Sequence, residues 1–336
     1  GSVAFLLHDT HGFPLELTRE IALERGHDVD QDGFDLEMAE QRRRAKEARK
    51  GGGAEGDSLY AAVAEQSGAT QFLGAETYEL EAVVLGVTED GIVLDRTPFY
   101  AESGGQLGDM GTISSPTGRA QIIDTVYGAP GVVRHVVGQL DGEFEVGQTV
   151  AAVIDGTRRD AIRRNHTATH LLHWALREVL GDHVKQQGSQ VAPDRLRFDF
   201  SHYEPVTAEE IRRIEDLVAA DILANAPARH FETTKDEAEA LGAIAFFGDK
   251  YGDVVKVLEA GPHSIELCGG THVRALGDIG PVKIISEASI GSNIRRIEAV
   301  SGTGPLERLR ADEERIRAAT DALGVSADEL VEAVER

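Results

Sequence analysis

The sequence predicts an α+β fold with a helical N-terminal part, a small β-barrel, a two-layer α/β core and a C-terminal helix. Three observations lead to this prediction. Residues 77–156 carry short apolar runs separated by turn residues, which is typical of a small barrel or sandwich of short strands. Residues 158–180 instead repeat apolar side chains at helical spacing. Beyond them, strand-like and helix-like segments alternate up to a charged helical segment at 304–320.

Two helices and a break are predicted in the N-terminal part. Pro14 suits a first helical turn and Gly26 a helix end, so residues 14–25 predict a helix. A second, strongly charged helix is predicted over 35–50. It runs into the glycine-rich residues 51–56, a flexible break that we interpret as a boundary between structural parts.

The barrel prediction depends on a hairpin and the strands that follow it. ELEAVVLGV at 79–87 and GIVLD at 91–95 are separated by three turn-forming residues, which predicts a hairpin. Between this hairpin and the later strands lies TPFYAESGGQLGDMG at 97–111, whose glycines predict a loop. The later barrel strands are predicted at 119–127, 131–138 and 148–155.

Capping boxes mark two helices of the following core. Thr207 with Glu210 predicts a helix over 207–224, and Thr234 with Glu237 predicts a short helix to residue 241. The remaining core segments favour strands at 195–200, 254–259, 263–267, 281–286 and 294–300. After the charged helix at 304–320, the last residues predict a further helix.

Composition and charge exclude several classes of protein. The chain has 336 residues, of which 41% are hydrophobic, enough for a sizeable core in two or three domains. No apolar run approaches the roughly 18–20 residues of a membrane helix, and the N-terminus does not resemble a signal peptide. Cys268 is the single cysteine of the sequence, so an internal disulfide framework is excluded and a cytoplasmic location is expected.

The net charge of −24 argues against broad, non-specific binding of nucleic acid. The net charge does not exclude local basic surfaces that bind nucleic acid. For each candidate cluster, the alternative is an ordinary solvent-exposed helix face. The candidate clusters are Arg158, Arg159, Arg163 and Arg164; Arg295 and Arg296; and Arg42 to Arg44 with Lys46, Arg49 and Lys50.

Four residues have the spacing of a metal site. His166 and His170 lie one turn apart on the predicted 158–180 helix, and Cys268 precedes His272 across a glycine pair. Imidazole nitrogen and thiolate sulfur are ligands that zinc prefers. A buried cysteine with polar histidines lining a cleft is the alternative, and His173 competes as a ligand from nearly the same helical face. Spacing alone does not separate structural from catalytic zinc.

At these residues the sequence resembles the editing region of the alanyl-tRNA synthetase family. The upstream segment HDTHGFPLELTREIALERG at 8–26 resembles the end of that family's tRNA-recognition domain. The segments that carry the editing resemblance are TPFYAESGGQLGDMG at 97–111, NHTATHLLHWALREVLGDHVKQQGS at 165–189, RLRFDFSH at 195–202, CGGTHV at 268–273 and SIGSNIRRIEAVSG at 289–302.

The resemblance implies four parts and a reaction. Residues 1–74 correspond to the C-terminal part of the tRNA-recognition helices, 75–157 to a β-barrel subdomain, 158–303 to a zinc-binding editing core, and 304–336 to the start of a helical linker. The implied reaction is hydrolysis of tRNA(Ala) mischarged with serine or glycine. No segment resembles the aminoacylation core, so we expect this fragment not to charge tRNA. We also expect it to be a monomer and to hydrolyse mischarged tRNA only weakly when isolated.

The resemblance also implies roles for individual residues. Zn²⁺ is expected on His166, His170, Cys268 and His272. Gln186 and Cys268 are expected to serve catalysis. Gln186 is expected to contact or orient the substrate, and its neighbour Gln187 is a rival for that role. The residues expected to contact substrate or tRNA are Thr167, Arg163, Arg164, Gly104, Gly105 and Arg296.

Alternatives stay open at this stage. The arginines expected to contact tRNA could instead form salt bridges within the protein, and the two glycines could simply form a turn. The Thr167 hydroxyl could instead bond back to its own helix. For the whole chain, the alternatives are a free-standing deacylase, a non-catalytic tRNA-binding module with structural zinc, and a generic metallohydrolase.

Overall fold

The computed structural model describes residues 54–244 and 252–335, together with positions 3, 18, 19, 22, 27, 29–31, 33, 34 and 38. The chain divides into two compact units, Gly1–Ala61 and Ala62–Arg336. Most of the two predicted N-terminal helices, the basic cluster at 42–50 and the glycines at 51–53 lie outside the described residues. Within the described residues, no helix has the length and apolar character needed to cross a membrane.

The first described elements are a helix and a short strand. Helix α1 (Ala54–Ser67) precedes β1 (Gln71–Phe72). The strands that follow are β2 (Glu79–Val87), β3 (Gly91–Leu94), β4 (Arg96–Thr97), β5 (Gly111–Ser114), β6 (Gly118–Ala129), β7 (Val132–Gly142) and β8 (Thr149–Ile154). β1 pairs with β4 in parallel, outside the barrel.

Six of these strands form a closed barrel in the order β2-β3-β7-β6-β5-β8. The barrel and the predicted β2–β3 hairpin are therefore confirmed. Its interior is filled by fully buried apolar side chains such as Val84, Ile113 and Ile122. Strand β5 was not predicted, because its four residues, GTIS, have only one large apolar side chain. Pairing with β6 and β8 makes it a strand.

The core that follows the barrel is built on a long helix. Its elements are α2 (Gly156–Leu180), β9 (Gln186–Val191), β10 (Leu196–Ser201), α3 (Ala208–Ala224), β11 (Ala228–Thr234), α4 (Lys235–Ala240), β12 (Val254–Ala260), β13 (Ser264–Leu267), β14 (Lys283–Gly291) and β15 (Ile294–Val300). Both predicted capping boxes, at Thr207 and Thr234, are present. The C-terminal helices are α5 (Gly304–Leu323) and α6 (Leu330–Glu335).

Two sheets support the core. One has the strand order β14-β15-β10-β9 and the other β11-β12-β13. Leu171 and Leu176 of α2 share a hydrophobic cluster with Phe198 of β10 and Ile214 of α3. The mixed helix-and-strand fold is therefore confirmed, while the domain boundaries at 75, 158 and 304 stay predictions.

Candidate metal centre and cleft

The four predicted ligands meet at one point. One ligand atom from each of His166, His170, Cys268 and His272 lies within 4.8 Å of all the others. The Cys268 Sγ atom lies 3.5 Å from His166 Nε2 and 3.2 Å from His272 Nε2. Helix α2 supplies the first two histidines from adjacent turns, and the loop after β13 supplies the other pair. Three imidazoles and one thiol at this spacing form a donor set suited to zinc.

The glycine pair between Cys268 and His272 permits this close approach. A Cβ atom on Gly270 would lie 2.1 Å from Cε1 of His166, closer than atoms can pack. On Gly269 it would meet no atom within 4 Å. Position 270 therefore requires a residue without a side chain, so that the loop can pack against the imidazole ring of His166.

Each imidazole of the group is held through its Nδ1 atom. His166 Nδ1 lies 2.8 Å from Gln106 Oε1, and His170 Nδ1 lies 2.5 Å from Glu266 Oε2. His272 Nδ1 lies 3.3 Å from the hydroxyl of Thr167, a longer contact. Because oxygen acceptors fix the proton on Nδ1, they leave the Nε2 lone pairs for a metal, as in many metal sites.

Two details support this orientation. Gln106 Oε1 also accepts a hydrogen bond from the Thr271 backbone N–H, so the amide oxygen faces His166 and that ring must donate. His170 Nε2 is buried and has no hydrogen-bond partner among the described residues. A metal ion in the group would give that nitrogen a partner, so the residues present fit a metal.

The electrostatics of the group also favour a cation. Burial raises the pKa of the Cys268 thiol, but the imidazoles of His166, His272 and His170 outweigh burial and hold that pKa well below its ordinary value. Burial likewise raises the pKa of Glu266, and its hydrogen-bonded histidines overcome this and lower the pKa to about 2. Two anionic groups are thus enclosed beside the histidines, and they raise the pKa of His170 to about 10 despite its burial. A divalent cation bound there would take over the neutralisation of these anionic groups.

His173, the predicted competitor, lies outside the four-residue group. Its Nδ1 atom is 2.7 Å from Glu266 Oε1, so one carboxylate holds both His170 and His173. The side chain therefore lies behind the group, where it supports Glu266.

A cleft of about 510 Å³ opens onto the cluster. Three of the candidate ligands line it, namely His166, His170 and Cys268. The predicted substrate residues that also line it are Gln186, Gln187, Gly104 and Gly105. Thr169 lines it too, with Tyr100 and Ser103, two residues for which no role was predicted.

Both glutamines reach the cleft because β9 is irregular beside β10. The register changes between Asp199 and Phe200, so Gly188 faces Asp199 while Gln186 faces Phe200 and Gln187 is left without a partner position. Such a bulge re-aims side chains that would otherwise alternate. Gln186 is half-buried and Gln187 exposed.

The loop that carries Gly104 and Gly105 is fixed against the same strand. Both glycines have positive φ, 58° and 84°, a conformation that other residues rarely adopt. A Cβ atom on Gly105 would lie 2.5 Å from the carbonyl oxygen of Ser189. The Gly105 carbonyl accepts a 2.7 Å hydrogen bond from Val191 N–H. These contacts place Gln106, the next residue, beside His166.

Three predicted RNA contacts have partners inside the protein. Arg163 is buried and donates to the Tyr78 hydroxyl at 2.9 Å and to the Ala75 carbonyl at 2.7 Å. Arg296 binds both carboxylate oxygens of Asp199, at 2.7 and 2.8 Å. Thr167 is fully buried and donates to the Arg163 carbonyl four residues earlier, at 2.9 Å. Arg164 is partly exposed and has no polar side-chain partner among the described residues.

Sequence reasoning missed two residues of the site, Gln106 and Glu266. Gln106 lies within the resemblance segment at 97–111, but no local pattern signals its contacts with residues 166 and 271. Glu266 belongs to β13, where a charged residue in a strand usually faces solvent. The signal is its full burial between two histidines, which only the fold reveals.

Replacing Gln106 with alanine should weaken metal binding by roughly 10- to 100-fold, the usual effect of losing a group that orients a metal ligand. The change frees His166 Nδ1 and removes two hydrogen bonds to Thr271. Competition with a chromophoric chelator measures the affinity. Gln148→Ala is the matched control, because that amide bonds to Ser115 and Thr117 on the barrel. Equal affinities for the two variants would contradict the positioning role.

Comparisons with known protein families match two separate parts of the chain. Residues 1–158 match the family described as class II (A) tRNA synthetases. Residues 254–298, which include Cys268 and His272, match the threonyl and alanyl tRNA synthetase second additional domain. The alanine–tRNA ligase of Halorhodospira halophila is 47% identical over 350 residues, covering 100% of this chain and 40% of that protein. That of Myxococcus xanthus is 46% identical over 352 residues, covering 100% and 39%. The chain thus spans about 40% of the length of these curated relatives.

Proposed function

Because the chain belongs to the alanyl-tRNA synthetase family, we propose that it hydrolyses tRNA(Ala) that has been mischarged with serine or glycine. Zn²⁺ is the proposed cofactor, held by His166, His170, Cys268 and His272. The partner is the aminoacylated end of the tRNA, and the cytoplasm is the proposed location. Charging of tRNA with alanine belongs to the longer relatives and is not assigned to this chain.

The observation that carries the proposal is the orientation of the histidines at the floor of a cleft. Their Nδ1 atoms contact Gln106, Glu266 and Thr167, so the Nε2 atoms converge with the Cys268 sulfur. Three of the four ligands also line the cleft, so a substrate in the cleft reaches the metal centre directly. A nitrogen-rich site with one thiolate suits Zn²⁺ better than the oxygen-seeking cations.

The need for such a reaction follows from the limits of selective binding. A pocket that accepts alanine cannot strongly reject glycine, because one methyl or methylene group contributes only about 1–3 kcal/mol to discrimination. An added hydroxyl, as in serine, is also poorly rejected by an apolar pocket. A second, hydrolytic site corrects both errors.

The residues of this chain prepare the ester for attack by water. Bound zinc would supply positive charge that polarises an oxygen or lowers the pKa of water toward ~7. Gln186, half-buried at the cleft, offers an amide to orient the polar groups of the aminoacyl ester, and Gln187 is the rival for this role. Gly104 and Gly105 allow the backbone to approach the terminal nucleotide. Thr167 acts from behind by contacting His272, so we assign it a positioning role.

A second candidate function is a tRNA-binding module with structural zinc. The observation that favours it is the complete set of four protein donors, since structural zinc sites are closed and catalytic ones keep an open position. The exposure of three ligands to the cleft favours hydrolysis instead.

Hydrolysis of Ser-tRNA(Ala) and Ala-tRNA(Ala) by the zinc-loaded chain distinguishes these functions. We expect release of serine to be much faster than release of alanine, and a chelator to suppress it until zinc is restored. Circular dichroism recorded with the chelator shows whether the fold persists. Equal rates on the two substrates would reject editing, and tRNA binding without release of either amino acid would favour the structural-zinc module.

A further inference from the structure

A second cleft, of about 400 Å³, lies beside the metal centre. His272 lines this cleft, while the other three candidate ligands line the first one. Its remaining walls include three arginines, Arg163, Arg164 and Arg274. The cleft is therefore basic in a chain whose net charge is −24.

The four arginines between positions 158 and 164 of α2 divide into three with structural contacts and one without. Arg158 donates to the Gly108 carbonyl at 2.7 Å, Arg159 is fully buried against Asp109, and Arg163 holds Tyr78. Arg164, which packs against Gly302, makes no hydrogen bond or ion pair through its side chain with any described residue. Of the four, Arg164 has the guanidinium group most available to a ligand.

Arg274 faces the same cleft from the other wall. It is exposed, follows His272 by two positions and, like Arg164, has no side-chain partner within the described part of the chain. The two carboxylates that line the cleft, Asp160 and Asp278, are bonded to groups other than these two arginines. Asp160 bonds to the Tyr78 hydroxyl, and Asp278 accepts from the Ala275 N–H at 3.2 Å. The cleft therefore has three arginines against two carboxylates, and neither Arg164 nor Arg274 forms an ion pair with them.

We propose that Arg164 and Arg274 each bind a phosphate of the RNA backbone in this second cleft. Guanidinium groups match the oxygen geometry of phosphate and stay charged at all working pH values. Because the chain as a whole is acidic, a polyanion is attracted only where arginines outnumber carboxylates, as they do in this cleft. This inference rests on the proposed function, since it treats the bound anion as part of the tRNA substrate.

The position of His272 relates this phosphate site to the reaction. Its ring lines the second cleft, and its Nε2 atom lies 3.2 Å from Cys268 Sγ, which lines the first. The two clefts are therefore linked by the direct contact between His272 and Cys268. A nucleic-acid strand held by its backbone at Arg164 and Arg274 has its neighbouring groups close to the metal centre, so phosphate binding fixes the register of the strand.

The test uses uncharged tRNA(Ala), so that binding is measured apart from hydrolysis. Kd is determined by fluorescence anisotropy over a range of salt concentrations for the whole chain and for Arg164→Gln, Arg274→Gln and the double variant. Each replacement should reduce the slope of log Kd against log salt by about 0.7–0.9, the contribution of one phosphate contact. Arg213→Gln is the matched control, because Arg213 is exposed on α3, lines neither cleft and carries the same charge.

Each outcome has a defined meaning. Slopes for the Arg164 and Arg274 variants that equal the wild-type slope would overturn the proposal, and so would an equal reduction by Arg213→Gln. Competition by polyglutamate as effective as that by RNA would show a general acidic ligand and also overturn it. A chain that fails to release serine but shows the expected slopes would retain the phosphate site and reject the proposed hydrolysis, so the two failures are distinguishable.

Discussion

Replacing Cys268 with alanine should release the metal and lower the rate of serine release by on the order of 10²-fold or more. The sulfur is the ligand atom that contacts two rings of the group, at 3.5 and 3.2 Å. Removing it deletes one of four donors and an anionic charge. Metal catalysis contributes several kcal/mol to such reactions, and each 1.36 kcal/mol is a tenfold change in rate. Metal content measured by mass spectrometry provides a readout independent of activity.

His173→Gln is the matched variant for this prediction. His173 shares the Glu266 carboxylate with His170 but lies outside the group of four. We expect the glutamine variant to retain one zinc per chain, with an affinity reduced at most by the looser hold on Glu266. The ligand assignment would be wrong if His173→Gln lost zinc while Cys268→Ala kept it. Retention of zinc together with full serine release by Cys268→Ala would also reject it.

The metal ligands could be predicted from sequence because their spacing is local. His166 and His170 lie on adjacent turns of one helix, and Cys268 and His272 lie on one tight loop. The capping boxes and the β2–β3 hairpin were predictable for the same reason, since each depends on residues within about three positions of one another. Residue type and spacing suggested one metal site from the two pairs, and the family resemblance added the expected role and substrate.

Other parts of the site depend on contacts between distant residues. Gln106 reaches residues 166 and 271, and Glu266 reaches His170, so no local pattern indicates them. The roles of the arginines also could not be predicted from local sequence. Arg163 and Arg164 are neighbours in one basic cluster, and the sequence does not distinguish between them. Both arginines line the second cleft, and only the fold shows that Arg163 is bonded to Tyr78 and nearby carbonyls while Arg164 is not.

Strands β9 and β11 were missed for a related physical reason. Their sequences, QQGSQV and ARHFETT, contain few large apolar residues and no apolar–polar alternation. Each becomes a strand because a more apolar neighbour, β10 or β12, offers its backbone groups for pairing. Tertiary pairing thus overrides weak local preference, and β9 is the strand that presents Gln186 to the cleft.

The ion pair between Arg159 and Asp109 connects the helix of the metal ligands to the loop that carries Gln106. Both side chains are almost completely buried, at 0% and 1% exposure. Arg159 also donates to the carbonyls of Gly74 and Pro98, and the Asp109 carboxylate accepts from the Tyr100 N–H at 2.7 Å. The aspartate therefore holds the start of the 98–109 loop and the first turns of α2 at the same time.

Asp109→Ala should lower the free energy of unfolding by about 3–5 kcal/mol, because it leaves a buried guanidinium without its counter-charge. For a unit of this size the midpoint of thermal unfolding should fall by roughly 6–20 °C. Asp312→Ala is the matched control, since it removes the exposed pair with Arg315 on α5, where the two side chains are 55% and 75% exposed. A surface pair contributes at most about 1 kcal/mol. Equal shifts for the two variants would contradict the structural role of the buried pair. A shift confined to Asp109→Ala, with weakened metal binding in the folded protein, would show that the same ion pair also positions Gln106 against His166.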